Sequence, residues 1–202
     1  NSMSHRWVQN IIDSPALRVL EERLATEHRV VVTAGSGSSS TLVAGGLAQR
    51  CQRPVLYVVA HLDDADDALE DLRLFVTLDR EICAQRFPAL EVLPGESNVS
   101  LDLLVQRFEV VRGLIGDGGR DPRPPSVLVA PIAALMQSVP QPEALEHYQL
   151  RIAKDQQLGP AELIEWLDRA GYQRTDSIEQ PGDFSIRGGI IDIYPPAAGY
   201  GE

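Results

Sequence analysis

Four short apolar runs, separated by stretches with helical spacing, constrain the fold of this chain more than any other feature. The runs are RVVVTA at 29–34, PVLYVVA at 54–60, LEVLP at 90–94 and SVLVAP at 126–131. Runs rich in β-branched residues and without polar alternation are typical of parallel strands that are buried on both faces. Strands that alternate with helices form βαβ units with right-handed crossovers. The sequence therefore predicts an α/β domain with a parallel sheet.

Helices are predicted before and between these strands. Ser14 is expected to cap a helix over PALRVLEERL, because Pro15 suits the first turn of a helix. The segments TLVAGGLAQR, HLDDADDALEDLRLFV, SLDLLVQRFEVVRGLI and IAALMQSV also have helical spacing. We interpret the aspartates of the second segment as a solvated helix start, since they lack the alternating ligand spacing of a calcium loop.

The character of the sequence changes after Pro142. YQLRIAK alternates like a half-exposed strand, and GPAELIEWLDRAGY predicts an amphipathic helix. GDFSIRGGIIDIYPP predicts two strands joined through Gly188 and Gly189 as a hairpin. We therefore predict an α/β domain over 1–138 and a smaller α+β domain over 139–202. Residues 1–4 are expected to be a tag remnant and the second domain to be truncated.

Charge and composition narrow the possible functions. The 29 acidic residues outnumber the 18 basic ones and give a net charge of −11, so nucleic acid is not the expected partner. No apolar run approaches the roughly 20 residues that span a bilayer, and we expect a cytoplasmic protein without a membrane partner. The two cysteines have no metal-ligand or disulfide spacing, and the four histidines are scattered. No catalytic or metal-binding residues are predicted.

The turn after the first apolar run has the outline of a phosphate-binding loop without its lysine. The pattern G-x-x-x-x-G-K-[ST] places backbone amides, a lysine and a hydroxyl around the phosphates. With Gly37 as the second glycine, Val32 stands at the first glycine and Ser38 at the lysine, while Ser39 fits the hydroxyl. Gly35, Gly37 and the following helix start still offer free amides. We interpret the loop as vestigial; the alternative is an atypical P-loop nucleotide-binding enzyme or sensor.

The segment AGYQRTDSIEQPGDFSIRGGIIDIYPP, residues 170–196, is the most specific signal in the chain. Its turn framework consists of Gly182, Gly188 and Gly189. The apolar residues expected to alternate inwards are Phe184, Ile186, Ile190 and Ile193. Arg174 and Arg187 are left to point outwards. Because arginine is favoured at protein interfaces, the two suggest a protein-recognition surface. The alternative is that both only make local ion pairs with Asp176, Asp183 or Asp192.

This segment closely resembles one shared by the bacterial transcription-repair coupling factors (Mfd) and the excision-repair protein UvrB. The upstream run VLVAPIAALMQSVPQPEAL, followed by AELIEWLDRAGY, is similar to the coupling factors in particular. Over residues 30–60 the resemblance is weaker but collinear. Together these stretches cover most of the chain.

The resemblance implies an N-terminal fragment of a transcription-repair coupling factor. The full-length family is an ATP-dependent DNA translocase, an ATP-binding and DNA-binding hydrolase that removes RNA polymerase stalled at DNA damage and recruits UvrA for nucleotide excision repair. The implied fold is a degenerate helicase-like (P-loop-type) parallel sheet domain, followed by a small α+β UvrB-like domain that binds UvrA. No activity and no cofactor are expected in this fragment. ATP and Mg²⁺, and contacts with RNA polymerase and DNA, are expected only in missing domains.

The resemblance also assigns roles to residues of the hairpin. Arg174 and Arg187 match basic positions that UvrB-like proteins use against UvrA, and Phe184 and Tyr194 are expected to support them. UvrB has a further arginine where this chain has Ser185. This difference implies an interface that is weaker or differently centred.

Overall fold

The structure is a computed structural model that describes residues 2–33, 35, 37–77, 82–90, 100–116, 124–139, 141 and 150–195. The contacts divide the chain into two compact units, residues 1–90 with 110–138 and residues 91–109 with 139–202. The sequence predicted two continuous domains, whereas residues 91–109 are grouped here with the second unit.

Three helices open the first unit. Helix α1 spans Ser2–Ile12, α2 spans Pro15–Thr26 and α3 spans Ser38–Cys51. The predicted cap of α2 is confirmed, because the hydroxyl of Ser14 accepts a hydrogen bond from the backbone N–H of Leu17 at 3.3 Å. Helix α1 begins within the residues that the sequence analysis set aside as a tag remnant.

A three-stranded parallel sheet forms the centre of the first unit. Its strands are β1 (Val55–Val59), β2 (Ala84–Arg86) and β3 (Val127–Pro131), in the order β1-β3-β2. Strand β3 is buried along its whole length because it has a neighbour on each side. The predicted parallel sheet and two of its strands are thus confirmed, but β1 is exposed on one face, where Leu56 and Val58 are 52% and 44% exposed.

The first predicted strand is wrong. Residues 29–33 form no strand, and the side chains of Val31 and Val32 are 66% and 59% exposed. A β-branched run is stabilised by a paired neighbour and a buried face, and no described residue pairs with this one. The first two apolar runs and the helix between them therefore do not form a βαβ unit. Instead β2, which the sequence analysis did not predict, pairs with β3.

The structure confirms neither of the other two predicted strands, LEVLP and YQLRIAK. LEVLP lies outside the described residues except for Leu90. The described part of YQLRIAK, residues 150–154, contains no strand. The side chains of residues 151–154 are all exposed. The alternation of polar and apolar residues therefore does not correspond to a strand with one buried face.

The core of the first unit lies between the sheet and its helices. Helix α4 (Leu62–Leu72) continues into a 3₁₀ helix, Arg73–Thr77. The buried cluster comprises Val8, Ile12, Ala48, Ala65, Ala68, Leu72, Phe75, Ile82, Val127 and Val129. A Cβ on Gly45 would lie 2.7 Å from the ring of Phe75, so this glycine of α3 allows close packing.

Two more predicted helices are confirmed. Helix α5 spans Leu101–Ile115, and α6 spans Ile132–Leu135 directly after β3. Helix α6 is shorter than its predicted segment, which extended to Val139. No helix in the described part of the chain is long and apolar enough to span a membrane.

The second unit contains a helix and a small mixed sheet. Helix α7 spans Pro160–Arg169, and the strands are β4 (Gln173–Arg174), β5 (Asp183–Arg187) and β6 (Ile190–Ile193). Strand β4 is parallel to β5, and β5 is antiparallel to β6. The predicted helix and hairpin are both confirmed. Leu167 and Phe184 are buried, and burial raises the pKa of the Tyr172 phenol beside the ring of Trp166.

Candidate functional site

The glycine loop leads into a pocket at the carboxyl end of β1. Gly37 precedes α3 with a φ of 55°, and no side chain caps the helix. The backbone N–H of Ser40 donates to the carbonyl oxygen of Gly37 at 3.0 Å, so one amide of the helix start is already engaged. Gly35 and Gly37 are exposed. Ser38 lies at the first position of the helix and lines the pocket.

The charges around this pocket oppose an anion. The pocket has a volume of about 340 Å³ and is lined on one side by Asp64, Asp67 and Asp71 of α4. Its described lining contains no lysine or arginine. At an effective dielectric constant of about 20, a charge about 8 Å from one carboxylate meets a repulsion of about 2 kcal/mol. The hydroxyl of Thr41 is buried and donates to the Tyr57 hydroxyl at 3.4 Å, which leaves it in a packing role.

The second site predicted from the sequence is the β5–β6 hairpin. Gly188 and Gly189 have φ values of +54° and +90°. Two successive positive φ angles are the requirement of a type I′ turn, and glycine meets it without steric cost. The turn makes Arg187 and Ile190 the first cross-strand pair, and this pair sets the register of the remaining strand.

The register sorts the side chains of the hairpin onto two faces. We call the outer face the one that carries Asp183, Ser185, Arg187, Ile190, Asp192 and Tyr194. The inner face carries Phe184, Ile186, Ile191 and Ile193. The prediction that Ile190 points inwards is therefore wrong. Ile190 is 64% exposed and Ile191 takes the inward position, because the two-residue turn shifts the alternation by one.

Arg174 and Arg187 lie on opposite faces of this small sheet. Strand β4 runs parallel to β5 with Arg174 in register with Phe184, on the side of the inner face. Arg187 follows Phe184 by three positions and lies on the outer face. Both arginines are exposed, but the structure does not bring them together on one surface.

Neither arginine is neutralised by its neighbours in the described part of the chain. The guanidinium of Arg187 donates through Nη2 to the backbone oxygen of Asp176, not to its carboxylate. The carboxylate of Asp183 accepts from the backbone N–H groups of Glu179 and Gln180, both at 3.1 Å. The local ion pairs considered as an alternative are thus not formed by the described residues.

The two aromatic residues assigned to the site have different environments. Phe184 is fully buried, so it supports the sheet from within and has no surface for a partner. Tyr194 is 41% exposed at the end of the outer face. Gly182 connects the strands, since its N–H donates to the Tyr194 oxygen at 2.7 Å and its oxygen accepts from Gln173 at 2.8 Å. Ser185 is 1% exposed, so the open part of the outer face begins at Arg187.

Sequence reasoning missed Ile190 and Asp192 as members of the exposed face. The signal that identifies them is the two-residue Gly188–Gly189 turn, which fixes Arg187 opposite Ile190. No comparable signal in the sequence predicts the two-residue strand β4. The face on which Arg174 lies depends on the pairing of β4 with β5, which only the structure reveals.

Comparison with known proteins identifies relatives of both units. Residues 150–200, which include the hairpin, match the family described as "UvrB interaction domain". The chain is 34% identical over 161 residues to the transcription-repair-coupling factor of Bacillus subtilis (strain 168), covering 79% of this chain and 13% of that protein. It is 29% identical over 194 residues to the transcription-repair-coupling factor of Mycobacterium tuberculosis (strain CDC 1551 / Oshkosh), covering 95% and 15%.

A third relative extends the pattern. The transcription-repair-coupling factor of Myxococcus xanthus is 28% identical over 186 residues, which cover 90% of this chain and 15% of that protein. The chain thus spans 13% to 15% of the length of these curated relatives. Because the similarity extends over most of the chain and the UvrB-type match includes the hairpin, the chain belongs to the family of bacterial transcription-repair coupling factors and corresponds to their N-terminal, UvrB-like region.

Proposed function

We propose that this region is a protein-recognition module that binds UvrA. Through the longer protein, it would recruit UvrA to RNA polymerase stalled at DNA damage, at the start of nucleotide excision repair. The observation that carries the proposal is the exposed, unneutralised Arg187 on a well-defined hairpin, inside the residues that match the UvrB interaction domain. An arginine that is free of carboxylate partners is available to a carboxylate of another protein.

The residues of the hairpin have different roles in the proposed binding of UvrA. Arg174 and Arg187 are the polar anchors, and Tyr194 adds an exposed aromatic surface at the other end of the outer face from Arg187. Phe184 acts indirectly by holding β5 in place. Aromatic residues and arginine are the types that contribute most at protein interfaces, which supports this division.

The first unit is proposed to have no nucleotide function of its own. The loop at Gly35–Ser39 lacks the lysine of a phosphate site, and the carboxylates of α4 would repel phosphate groups. The ATP-dependent translocase activity of the family, its Mg²⁺, and its contacts with RNA polymerase and DNA are proposed to belong to other parts of the longer protein. UvrA is the partner proposed for the hairpin residues of the second unit.

The test is the affinity of the purified chain for purified UvrA, measured by isothermal titration calorimetry. The double variant Arg174→Ala, Arg187→Ala should weaken binding at least about tenfold, since an interface anchor contributes on the order of 2 kcal/mol. The matched control, Arg18→Ala with Arg73→Ala, removes the same charge from exposed positions of the first unit and should leave the affinity unchanged. Equal affinities for wild type and the double variant would overturn the assignment.

A further inference from the structure

The side-chain amide of Gln137 makes two hydrogen bonds with the backbone of a single residue in the first unit. Its Oε1 accepts from the N–H of Leu90 at 2.8 Å, and its Nε2 donates to the carbonyl oxygen of Leu90 at 2.9 Å. A primary amide carries a donor and an acceptor side by side, and a neighbouring strand offers the same two groups to a peptide unit. Gln137 therefore takes the place of a strand neighbour for Leu90.

The end of β3 explains why Leu90 has a side chain as its partner. Strand β3 stops at Pro131, and α6 follows directly, so the backbone of β3 does not continue beside the chain that extends beyond β2. Residues 87–89 are buried and Leu90 is half-buried. Backbone groups at such a position are costly to leave without hydrogen bonds. Gln137, just past the end of α6, supplies the two missing groups.

Helix α6 depends on the same contact from the other side. It spans only Ile132–Leu135, and a helix of four residues is not stable by itself. No described side chain caps its start, and Ala134 is its buried residue. Its neighbour Met136 is 82% exposed, so packing adds little to the end of the helix. The two hydrogen bonds of Gln137 therefore anchor α6 as much as they satisfy Leu90.

The two partners of this contact lie where the chain leaves the first unit. Leu90 is the last residue before the segment 91–109, and Gln137 is next to the last residue before the segment 139–202. We propose that Gln137 is a conformational clasp, whose amide couples the local opening of Leu90 to that of residues 132–138. These two exits of the chain are then held or released together. The clasp belongs to the first unit and does not rest on the proposed binding of UvrA.

Hydrogen exchange of single backbone amides, followed by NMR, tests the clasp. Gln137→Met keeps the length of the side chain and removes both polar groups. The amides of Leu90 and Met136, the second of which is bonded within the turn of α6, should both exchange at least about tenfold faster. The amide of Phe87, which is bonded to β3, should keep its rate. Gln49→Met makes the same change at a half-buried position of α3 and should alter none of these rates.

Each other outcome overturns the clasp. Faster exchange at Leu90 alone would mean that Gln137 satisfies one peptide unit and couples nothing. Faster exchange at Phe87 as well would mean that the first unit is loosened as a whole, and unchanged rates would mean that the contact holds neither segment. The wild type gives a test that needs no variant. Its Leu90 and Met136 amides should open with the same free energy and the same dependence on low concentrations of urea, and different values would overturn the coupling.

Discussion

The molecule contains two glycine-dependent turns that the sequence singled out, and their surroundings differ in charge. The loop before α3 opens on a pocket lined by Asp64, Asp67 and Asp71. The turn at Gly188–Gly189 instead presents Arg187 and Ile190 on an open face. Both turns have positive φ angles, which explains why glycine occurs in each of them. The glycines alone do not explain what either turn could bind. The side chains around a turn decide what it can bind.

The two turns also differ in how they could provide positive charge to an anionic group. A helix start offers partial charges on backbone amides, and these are weak unless a lysine or arginine adds a full charge. Around the loop the full charges are negative. On the hairpin the guanidinium of Arg187 is a full positive charge, held by a neutral carbonyl oxygen that leaves its charge uncompensated. The hairpin is therefore the better site for an anionic group.

The largest expected effect comes from removing the support beneath the hairpin. Phe184→Ala deletes a fully buried aromatic ring and should lower the free energy of unfolding of the second unit by about 3–5 kcal/mol. Urea unfolding followed through Trp166 fluorescence, in a Trp7→Phe background, reports on that unit. The control Tyr194→Ala truncates an exposed ring and should cost less than about 1 kcal/mol. A small effect of Phe184→Ala would mean that the hairpin is not held by this ring.

A pair of matched glycine variants makes the comparison sharper. A Cβ at Gly37 or at Gly189 would meet no atom within 4 Å, so Gly→Ala at either position costs backbone strain alone. Each should destabilise its own unit by about 1–3 kcal/mol, because a residue with a side chain is strained at these positive φ angles. Only Gly189→Ala should also weaken UvrA binding, because it disturbs the pair of Arg187 and Ile190. The comparison fails if Gly37→Ala has the larger effect on affinity.

The smallest expected effect is the response to nucleotide. A ligand that binds the native state raises its stability by mass action. With Asp64, Asp67 and Asp71 facing the loop, ATP with Mg²⁺ should leave the melting temperature of the chain unchanged. A rise that disappears in Gly37→Val would contradict this expectation and support the nucleotide-binding alternative.

The sequence predicted the elements whose signals are local. The cap at Ser14, the apolar strands β1 and β3, and the two-glycine hairpin each depend on a few adjacent residues, and all are confirmed. Residues 29–33 have the same β-branched composition but no paired neighbour among the described residues, so composition alone misplaced them. Strands of two and three residues, β4 and β2, are too short to show a period.

The sequence identified exposed residues of the hairpin but not the faces on which they lie. Arg187 and Tyr194 were assigned to a recognition surface, and both are exposed on the outer face. Ile190 was assigned to the core because the alternation was counted through the turn without the register that two positive φ angles impose. Arg174 was grouped with Arg187 because sequence proximity does not reveal which face a parallel neighbour occupies.

The most direct test of the central claim, that recognition belongs to the hairpin and not to the glycine loop, is backbone hydrogen exchange of this chain with and without purified UvrA. Binding of UvrA should slow the exchange of backbone amides over residues 183–194, because a bound partner makes local opening of the hairpin less frequent. Exchange over residues 37–41 and 57–60, at the pocket beside the loop, should not change. Slowed exchange at the pocket with an unchanged hairpin would contradict the account.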